Sequence, residues 1–439
     1  MRCRRLYSAR AFGGRVLTEA PSHSNTPIMI TTPKKGLDFC LNLLQSILSL
    51  FIPKRKGSMV FGSMSGWSTG FNNSSKSLFL FLLANRHREL VTWVTDNPRD
   101  YLLLIIRGYP VAYKYSPRCF WKVLRAEFLV TTDDPEHMTY SDIPGRFKIV
   151  QLWHGTPLKW IGSDDKSNRK INHPFTSGAS LATKVHDIAW AKVHHHLLKT
   201  RLRPYFLTVA SSREDQKVFR RVFYSRKVEI LGSPRNDIFF NSSLATEDYG
   251  RKLELGAFSK VLLYAPTFRD RPTGIEPFSE DFSLALGDYL VKNNYLLLVK
   301  GHPTTYYRKM HLKVANNVVD VSDLVSDIQE LLIHVDVLIT DYSSVAFDFA
   351  LTDKPIIFYP YDYENYIKNC RGLYFDYFHD LPGPFARNEA DLLELIRTAA
   401  DWSVAKDYVE RYRSFKKRFN EFEDGLSSER VLRRLGILS

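Results

Sequence analysis

Two histidines occupy positions where an imidazole could move a proton. His154 lies in Trp-His-Gly-Thr-Pro and His302 in Lys-Gly-His-Pro, and an apolar run of strand length precedes each motif. Histidine titrates near neutral pH, so it can act as a general base, or it can stabilise charge on a phosphate when it is protonated. A lone histidine at a strand end is more often structural. Two of them, one in each half of the chain, favour a catalytic role.

A hydroxyl-rich stretch in the second half has the pattern of a phosphate site. The apolar run Val335–Ile339 is followed by Asp-Tyr-Ser-Ser at 341–344, and apolar residues then recur at helical spacing. Ser343 and Ser344 would open this helix, where backbone N–H groups lack partners and the helix dipole is positive. The two serines could also serve only as helix caps. Polar clusters after the neighbouring strands favour the phosphate site.

Basic and acidic side chains follow other predicted strands in the same manner. The carboxyl ends of parallel strands share one edge of an open α/β sheet, and ligands bind at that edge. Arg235, Arg269 and Lys300 are placed to clamp a diphosphate there. Asp348, one helical turn after Ser344, is placed to accept bonds from ribose hydroxyls. Each of these residues, taken alone, could equally be a solvated surface residue.

The elements that position these residues are strands alternating with helical segments, which predicts parallel sheets with helices on both faces. At 439 residues the chain is long enough for two such domains. We predict a first domain over residues 58–227 and a second over 228–439. The predicted strands are Met59–Phe61, Val91–Val94, Phe128–Thr131, Phe147–Leu152 and Tyr205–Ala210 in the first domain, and Val228–Leu231, Lys260–Ala265, Tyr295–Val299, Val335–Ile339 and Pro355–Tyr359 in the second.

The N-terminal segment 1–57 carries much of the positive charge. Its ten basic and two acidic residues give it +8 of the chain's +14. The first 33 residues lack periodicity and are predicted to be disordered. Residues 37–52 predict an amphipathic helix with polar residues at 38, 42, 45 and 49 on one stripe, too short and polar to span a bilayer. Because Lys54, Arg55 and Lys56 follow, the helix suits an anionic membrane interface, although docking on the protein's own surface is an alternative.

The composition narrows the class of protein. With 44% hydrophobic and 25% charged residues, it is typical of a globular protein. The basic excess lies outside the predicted folded domains, so we predict no nucleic-acid partner. Four scattered cysteines indicate neither a zinc site nor a disulfide framework and suit a reducing compartment. We predict no metal and no cofactor, because acidic clusters and nucleotide-binding glycine motifs are absent from the sequence.

Seven short motifs resemble those of the CDP-glycerol glycerophosphotransferase family, the polymerases and primases of teichoic acids and related capsular polymers. Each motif alone is weak, but seven in the family's order are specific. They are the segments 61–75, 153–159, 232–237, 264–269, 300–303, 341–345 and 371–384. One departure is Gly301, where many members of the family carry Leu or Phe.

The resemblance implies a GT-B architecture, in which two Rossmann-like domains face each other across a cleft. It also implies a CDP-glycerol or CDP-ribitol donor and a lipid-linked or polymer acceptor, with the enzyme bound peripherally to the cytoplasmic face of the membrane. His154 becomes the candidate base, and His302 a second essential histidine near the diphosphate. The implied donor contacts are Gly155, Thr156, Pro157, Arg235, Pro266, Thr267, Arg269, Lys300, Gly301, Ser343, Ser344 and Asp348.

The expected reaction is a single displacement at phosphorus. An acceptor hydroxyl, deprotonated by His154, attacks the donor's β-phosphorus and CMP leaves. The backbone amides of Ser343 and Ser344, with His302 and basic side chains, would hold the charge that develops. Two alternatives stay open: a GT-B glycosyltransferase that uses a nucleotide sugar to build a cell-surface polysaccharide, and a membrane-binding module without enzymatic activity.

Overall fold

The protein is built on two parallel β-sheets, each covered by helices. The computed structural model describes the following residues: 41–63 except 42–43 and 46, then 70–133, 138, 147–165, 205–223, 225–267, 269, 276–301, 316–370 and 372–438. The predicted disordered segment 1–33 and His302 lie outside these residues.

The first sheet has seven parallel strands in the order β3-β2-β1-β4-β5-β6-β7. The strand order reverses between β1 and β4, and such a switch point opens a crevice at the carboxyl edge. The strands are β1 Met59–Gly62, β2 Val91–Thr95, β3 Val111–Tyr113, β4 Phe128–Thr131, β5 Lys148–Gln151, β6 Leu207–Ala210 and β7 Val228–Ile230.

The second sheet has five parallel strands in the order β10-β9-β8-β11-β12, with its switch point between β8 and β11. Helices cover both of its faces, since Leu263 of β8 lies in one apolar cluster and its neighbour Leu262 in another. The strands are β8 Lys260–Ala265, β9 Tyr295–Val299, β10 Val318–Asp320, β11 Val337–Thr340 and β12 Ile356–Phe358.

Helices connect and cover the strands, and many begin at the capping residues that favour a helix start. Ser116, Ser212 and Ser279, for example, each accept a bond from a backbone N–H of the helix that they open. The α-helices are α1 Asn73–Ala84, α2 Pro98–Ile106, α3 Pro117–Arg125, α4 Arg213–Val222, α5 Tyr249–Lys252, α6 Glu280–Lys292, α7 Ile328–Leu332, α8 Val345–Phe349, α9 Tyr363–Asn369, α10 Tyr377–Asp380, α11 Glu389–Arg397, α12 Ala399–Trp402, α13 Lys406–Phe419 and α14 Ser427–Arg434.

The boundary between the two halves differs from the sequence-based prediction. Strand β7 was expected to open the second domain, but it pairs with β6 in the first sheet. The last helix, α14, also returns to the first half, where Val431 and Leu432 are buried in the core beneath that sheet. The chain therefore crosses between the halves twice, once after β7 and once before α14.

The N-terminal helical segment, described at residues 41, 44–45 and 47–51, lies against α3. The side-chain amide of Gln45 donates to the carbonyl of Phe120 at 3.4 Å, and Lys54 donates to the carbonyl of Leu124 at 2.7 Å. The backbone N–H of Arg55 donates to the carbonyl of Arg125 at 2.8 Å. Among the helices that the structure describes, none has the length and hydropathy needed to cross a bilayer.

Candidate active site

His154 follows β5 at the carboxyl edge of the first sheet, on a backbone held in an unusual conformation. The preceding residue, Trp153, has φ +53°, a left-handed value that is strained for a bulky side chain. Its indole stacks on the His154 ring with centroids 4.0 Å apart and meets Phe223 edge-on. These aromatic contacts fix the direction of the imidazole, which stays accessible to solvent.

Gly155 brings the histidine loop into contact with both halves of the protein. Its φ is +145°, and a Cβ added there would lie 2.8 Å from both the guanidinium of Arg235 and the hydroxyl of Ser344. No side chain larger than hydrogen fits this gap. The structure thus joins three motifs, at positions 155, 235 and 344, that are well separated in the sequence.

The buried side chain of Arg235 links the histidine loop of the first half to the second half. Its guanidinium donates to the side chain of Asn73 at 2.9 Å, to the carbonyl oxygen of His154, and to Asp348 at 2.5 Å. Only 5% of Arg235 is exposed. Its Nε is also buried and has no hydrogen-bond partner within the described residues. Arg235 therefore ties the histidine loop and α1 to α8 of the second half.

The carboxylate of Asp348 also accepts hydrogen bonds from within the protein. One carboxylate oxygen accepts from Arg235 and from the amide of Gln329 at 3.1 Å, and the other accepts from the amide of Asn236 at 2.9 Å. The carboxylate is nearly buried. The sequence predicted a ribose contact for Asp348, and no contact observed here tests it. The observed bonds assign Asp348 to positioning Arg235.

The surroundings of His154 keep its imidazole neutral. Although His154 keeps access to solvent, the protein atoms packed around its ring and the positive charges of Arg235 and Lys159 disfavour the charged form and lower the pKa of His154 to about 4. A histidine with this pKa is deprotonated throughout the neutral range. It can therefore accept a proton from a hydroxyl.

Asp215 is a site residue that the sequence did not single out. It lies in the first turn of α4, and one carboxylate oxygen accepts from the hydroxyl of Thr156 at 3.3 Å and from the N–H of Ser211 at 3.2 Å. Burial, with a smaller contribution from the charge of Asp348, raises the pKa of Asp215 to about 7. The sequence could have indicated Asp215, because it follows the strand Leu207–Ala210 just as the predicted site residues follow their strands.

The switch point of the second sheet is organised by Asp341. One oxygen of its fully buried carboxylate accepts from the backbone N–H groups of Thr267 and Tyr342, at 2.7 and 2.6 Å. The end of β8 is thereby joined to the end of β11. Ser343 and Ser344 follow at once, half-buried, and their backbone N–H groups have no protein acceptor within the described residues.

The buried guanidinium of Arg269 binds two carboxylates of the second half. Its guanidinium donates twice to Asp362, at 2.7 and 2.8 Å, once to Asp341 at 2.9 Å, and once to the carbonyl of Thr267 at 2.8 Å. At least four of its five N–H groups are thus used by the protein. The sequence predicted that Arg269 clamps a diphosphate. No contact observed here tests that prediction; the observed bonds show that the guanidinium of Arg269 joins the loop after β8 to Asp341 and Asp362.

The remaining predicted residues lie around the same junction. Lys300 is half-buried after β9, and the backbone N–H of Gly301 donates to Ser322 at 2.9 Å. Pro157 and Pro266 are buried within their loops. Within the described ranges, no three His, Cys, Asp or Glu side chains come together in a way that could hold a metal ion.

A short two-stranded contact links the histidine loop to the second half. Lys159 forms an antiparallel bridge with Leu373, Trp160 N–H donates to the carbonyl of Gly372 at 2.8 Å, and Tyr374 N–H donates to that of Leu158 at 2.9 Å. We call residues 158–160 and 372–374 the clip. Through it, the loop that carries His154 is held by the second half as well as the first.

Fold and site together place the protein among the α/β enzymes that work at the junction of two parallel sheets. The chain belongs to the CDP-glycerol:poly(glycerophosphate) glycerophosphotransferase family, whose model matches residues 44–436. This confirms the family indicated by the motifs.

Two curated relatives are similar over most of their length. A teichoic acid glycerol-phosphate transferase of Staphylococcus aureus is 29% identical over 371 residues, which cover 82% of this chain and 88% of the relative. A teichoic acid poly(glycerol phosphate) polymerase of Bacillus spizizenii is 28% identical over 88% of this chain and 93% of its own. Among solved structures, the wall teichoic acid polymerase TagF, as a histidine variant soaked with CDPG, matches with a TM-score of 0.68 and 22% identity over 92% of both chains. That likeness supports the fold.

Proposed function

We propose that this protein transfers glycerol phosphate, or a related alditol phosphate, from a CDP-alditol to a hydroxyl of a membrane-associated polymer acceptor and releases CMP. The reaction would serve teichoic acid or capsular polymer synthesis. We also propose a GT-B arrangement, with one domain from about residue 58 through β7 and the other from about 232 to the start of α14. The family and the named activities of the relatives support this proposal.

The observation that carries the proposal is the convergence at Gly155. A neutral, solvent-accessible histidine comes from the first sheet, and two backbone N–H groups with no acceptor among the described residues come from the second. Gly155, next to that histidine, approaches both the guanidinium of Arg235 and the hydroxyl of Ser344. A base for a hydroxyl and donors for a phosphate are the two groups that phosphoryl transfer requires. Because the protein provides both at one place, an acceptor hydroxyl and a donor diphosphate can be held in line.

The reaction follows from this placement. As the acceptor oxygen forms its bond to the donor's β-phosphorus, its proton passes to the neutral imidazole of His154. The bond between the β-phosphorus and the bridging oxygen breaks, and CMP departs with the electron pair. The backbone amides of Ser343 and Ser344 donate to the phosphate oxygens, and Lys300 offsets negative charge from the end of β9. Arg235 acts indirectly, by holding the His154 carbonyl.

The proposal is tested by product release. The purified enzyme is incubated with a lipid-linked acceptor and with CDP-glycerol, CDP-ribitol or UDP-sugars in separate reactions. We expect CMP release and lengthening of the acceptor with one of the CDP-alditols. UDP release with a UDP-sugar, without CMP release from either CDP-alditol, would instead identify a glycosyltransferase.

The role of the Ser344 amide can be tested without straining the backbone. Ser344 has φ −66°, the value that proline adopts, so Ser344→Pro removes the N–H while the local turn is kept. A charge-assisted hydrogen bond contributes about 1.5–3 kcal/mol, so we expect the KM for the CDP-alditol to rise about tenfold or more. Ser344→Ala, the matched control, should change it far less. Equal, small effects of both substitutions would show that the phosphate binds elsewhere.

We propose that the N-terminal helix and α3 form one surface that binds an anionic membrane. The helix buries its polar face instead of its apolar one. Gln45 and Ser49 are buried against the protein, and the apolar side chains face outward. Leu44, Ile47 and Phe51 are 48%, 48% and 78% exposed. Such a contiguous apolar surface indicates a non-aqueous partner.

Basic residues surround this apolar surface. Arg118, Lys122 and Arg125 of α3 lie beside the Lys-Arg-Lys segment that follows the helix, and the pKa of Lys122 is lowered by partial burial and by the nearby charges of Arg118 and Arg55. A cluster of positive charge of this kind attracts anionic headgroups, each Lys or Arg contributing about 1 kcal/mol near the surface. Trp121, 51% exposed on α3, supplies the interfacial aromatic ring.

The membrane surface makes a measurable prediction. We expect the double variant Ile47→Ser/Phe51→Ser to lose about tenfold or more in affinity for vesicles of anionic phospholipid, because each side chain buries apolar area in the interface. Turnover on a short soluble acceptor should be unchanged. Leu284→Ser is the control, since Leu284 is 50% exposed on the distant helix α6. Unaltered sedimentation of the double variant with vesicles would place the membrane contact elsewhere on the protein.

A further inference from the structure

A cavity of about 170 Å³ lies at the amino edge of the first sheet, where β1 and β2 begin. Met59 and Thr92 of these strands contribute to its lining, together with residues of α3 and of the short 3₁₀ turn Arg88–Leu90. His154 follows β5 at the opposite, carboxyl edge of the same parallel sheet. The cavity is therefore separate from the catalytic junction.

The size of the cavity suits a phosphate group better than a nucleotide. Its volume lies below the range of about 300–1,000 Å³ that is usual for sites of drug-sized ligands. It is nevertheless about tenfold larger than the roughly 10–15 Å³ that one water molecule needs. The cavity thus has room for a group of a few heavy atoms, such as a phosphate.

The lining of the cavity is positively charged. Arg55, Lys122 and Arg125 contribute three positive charges and Glu89 one negative charge, a formal balance of +2. None of the three cations forms an ion pair with a carboxylate in the part of the chain that the structure describes. The pKa of Lys122 is lowered, first by partial burial and then by the charges of Arg118 and Arg55, so these cations repel one another. An anion in the cavity relieves that repulsion.

Other groups than these cations cap the end of α3. Lys54 donates to the carbonyl oxygen of Leu124 at 2.7 Å. The backbone N–H of Arg55 and the hydroxyl of Ser58 donate to the carbonyl oxygen of Arg125, at 2.8 and 3.1 Å. Because these bonds satisfy carbonyls at the C-terminus of the helix, the side chains of Lys122 and Arg125 stay available for a ligand. The same bonds fix the turn that carries Arg55 against α3.

The three cations also have donors enough for one phosphate. Arg55 donates through Nη1 to the carbonyl oxygen of Glu89 at 3.0 Å, and the guanidinium of Arg125 lies 6.0 Å from the centroid of the Trp121 ring. Further N–H groups of both arginines, with the ammonium of Lys122, can surround the oxygens of a phosphate. A phosphate monoester carries about 1.5 to 2 negative charges near neutral pH, which matches the balance of +2, whereas a diester carries only one.

The cavity is continuous with the proposed membrane surface. Phe51, exposed at the end of the N-terminal helix, precedes Arg55 by only four residues, so their Cα atoms are at most about 14 Å apart. Trp121 and Lys122 belong both to the lining of the cavity and to the part of the membrane surface that α3 supplies. A lipid whose acyl chains contact the apolar helix can therefore place its headgroup in the cavity.

We propose that this cavity binds the phosphate monoester headgroup of a single anionic lipid. The inference rests on the proposed membrane surface and adds to it a preference for one headgroup chemistry. Such a headgroup contributes more than its charge, because its oxygens accept hydrogen bonds from cations that α3 and the turn before β1 hold in place. The bound lipid also fixes the amino edge of the first sheet on the membrane.

The test compares the binding of the full-length enzyme to two kinds of vesicle, above the second pKa of the monoester. One contains phosphatidate in phosphatidylcholine, and the other contains phosphatidylglycerol at the same total negative charge. We expect the wild-type Kd for the phosphatidate vesicles to be about tenfold lower, because hydrogen bonds between charged groups add to the general attraction. Lys122→Gln and Arg125→Gln should each abolish that difference and leave turnover on a short soluble acceptor unchanged.

The matched control is Arg118→Gln, which removes one charge from an exposed position of α3 that does not line the cavity. It should weaken binding to both kinds of vesicle alike, by about fivefold, and keep the preference for phosphatidate. Equal wild-type affinities for the two kinds of vesicle, or an unchanged preference in Lys122→Gln, would overturn the headgroup site.

Two other results have different meanings. Glycerol 3-phosphate presents the same monoester in solution. If it binds the wild-type enzyme more tightly than Lys122→Gln while the vesicles show no preference, the cavity takes a free phosphate ester and the lipid assignment is wrong. If the wild-type enzyme binds neither kind of vesicle, the proposed membrane surface itself fails and the headgroup site with it.

Discussion

Replacing His154 with alanine is expected to lower kcat by about 100-fold or more while leaving the fold intact. A positioned general base contributes about 10²- to 10⁴-fold to a proton transfer, and the structure offers His154 as a neutral, accessible imidazole next to Gly155, which approaches Ser344. Initial rates of CMP release at saturating donor and acceptor measure the effect. Because the His154 side chain has little part in the core, thermal unfolding should shift by no more than a few degrees.

The pH dependence gives an independent check of the same assignment. A histidine with a pKa of about 4 is in its basic form above that pH, so the acid limb of kcat/KM should lie near pH 4 instead of the usual 6.5. Asp215 titrates near 7, and Asp215→Asn should leave the limb near pH 4 in place.

The control for the histidine substitution is His379→Ala. His379 has an 87% exposed side chain and lies outside the junction of the two sheets. Its loss should leave both kcat and the pH profile unaltered. Near-normal turnover of His154→Ala at neutral pH would remove His154 from the mechanism.

Replacing Asp348 with alanine is expected to lower the free energy of unfolding by about 3–5 kcal/mol. The substitution leaves the guanidinium of Arg235 buried without its counter-charge, and removing one member of a buried ion pair costs this much. It also leaves the side-chain amides of Asn236 and Gln329 without their acceptor. Urea denaturation at neutral pH measures the loss, and kcat should fall as well, because Arg235 no longer anchors the His154 carbonyl.

This result separates the two roles considered for Asp348. A carboxylate that binds only ribose would raise the KM for the CDP-alditol when removed and leave the stability unchanged. A carboxylate that positions Arg235 lowers the stability and kcat together. Glu410→Ala, at a 62% exposed side chain on α13, is the matched control and should change the stability by no more than about 0.5 kcal/mol.

Most of the strands could be predicted from local patterns, and the exceptions have a common cause. The apolar runs at Lys260–Ala265 and Tyr295–Val299 are strands with those bounds. The two strands that were missed, Val111–Tyr113 and Val318–Asp320, are three residues long and lie at the outer edge of their sheets. An edge strand is paired on one side only and is covered less completely, so it needs a shorter apolar run and leaves a weaker pattern.

The sequence by itself determined which residues lie at the carboxyl edges of the two sheets, including His154 and Ser344, because hydrophobic period and helix caps are local properties. Only the tertiary structure decided how each charge is used. Arg269 meets Asp341 and Asp362 from 72 and 93 positions away, and Arg235 meets Asp348 from 113. A lone arginine at a strand end has the same appearance in sequence whether it faces a ligand or a buried carboxylate. The difference arises when distant segments pack, since a buried charge requires a partner wherever the chain brings one.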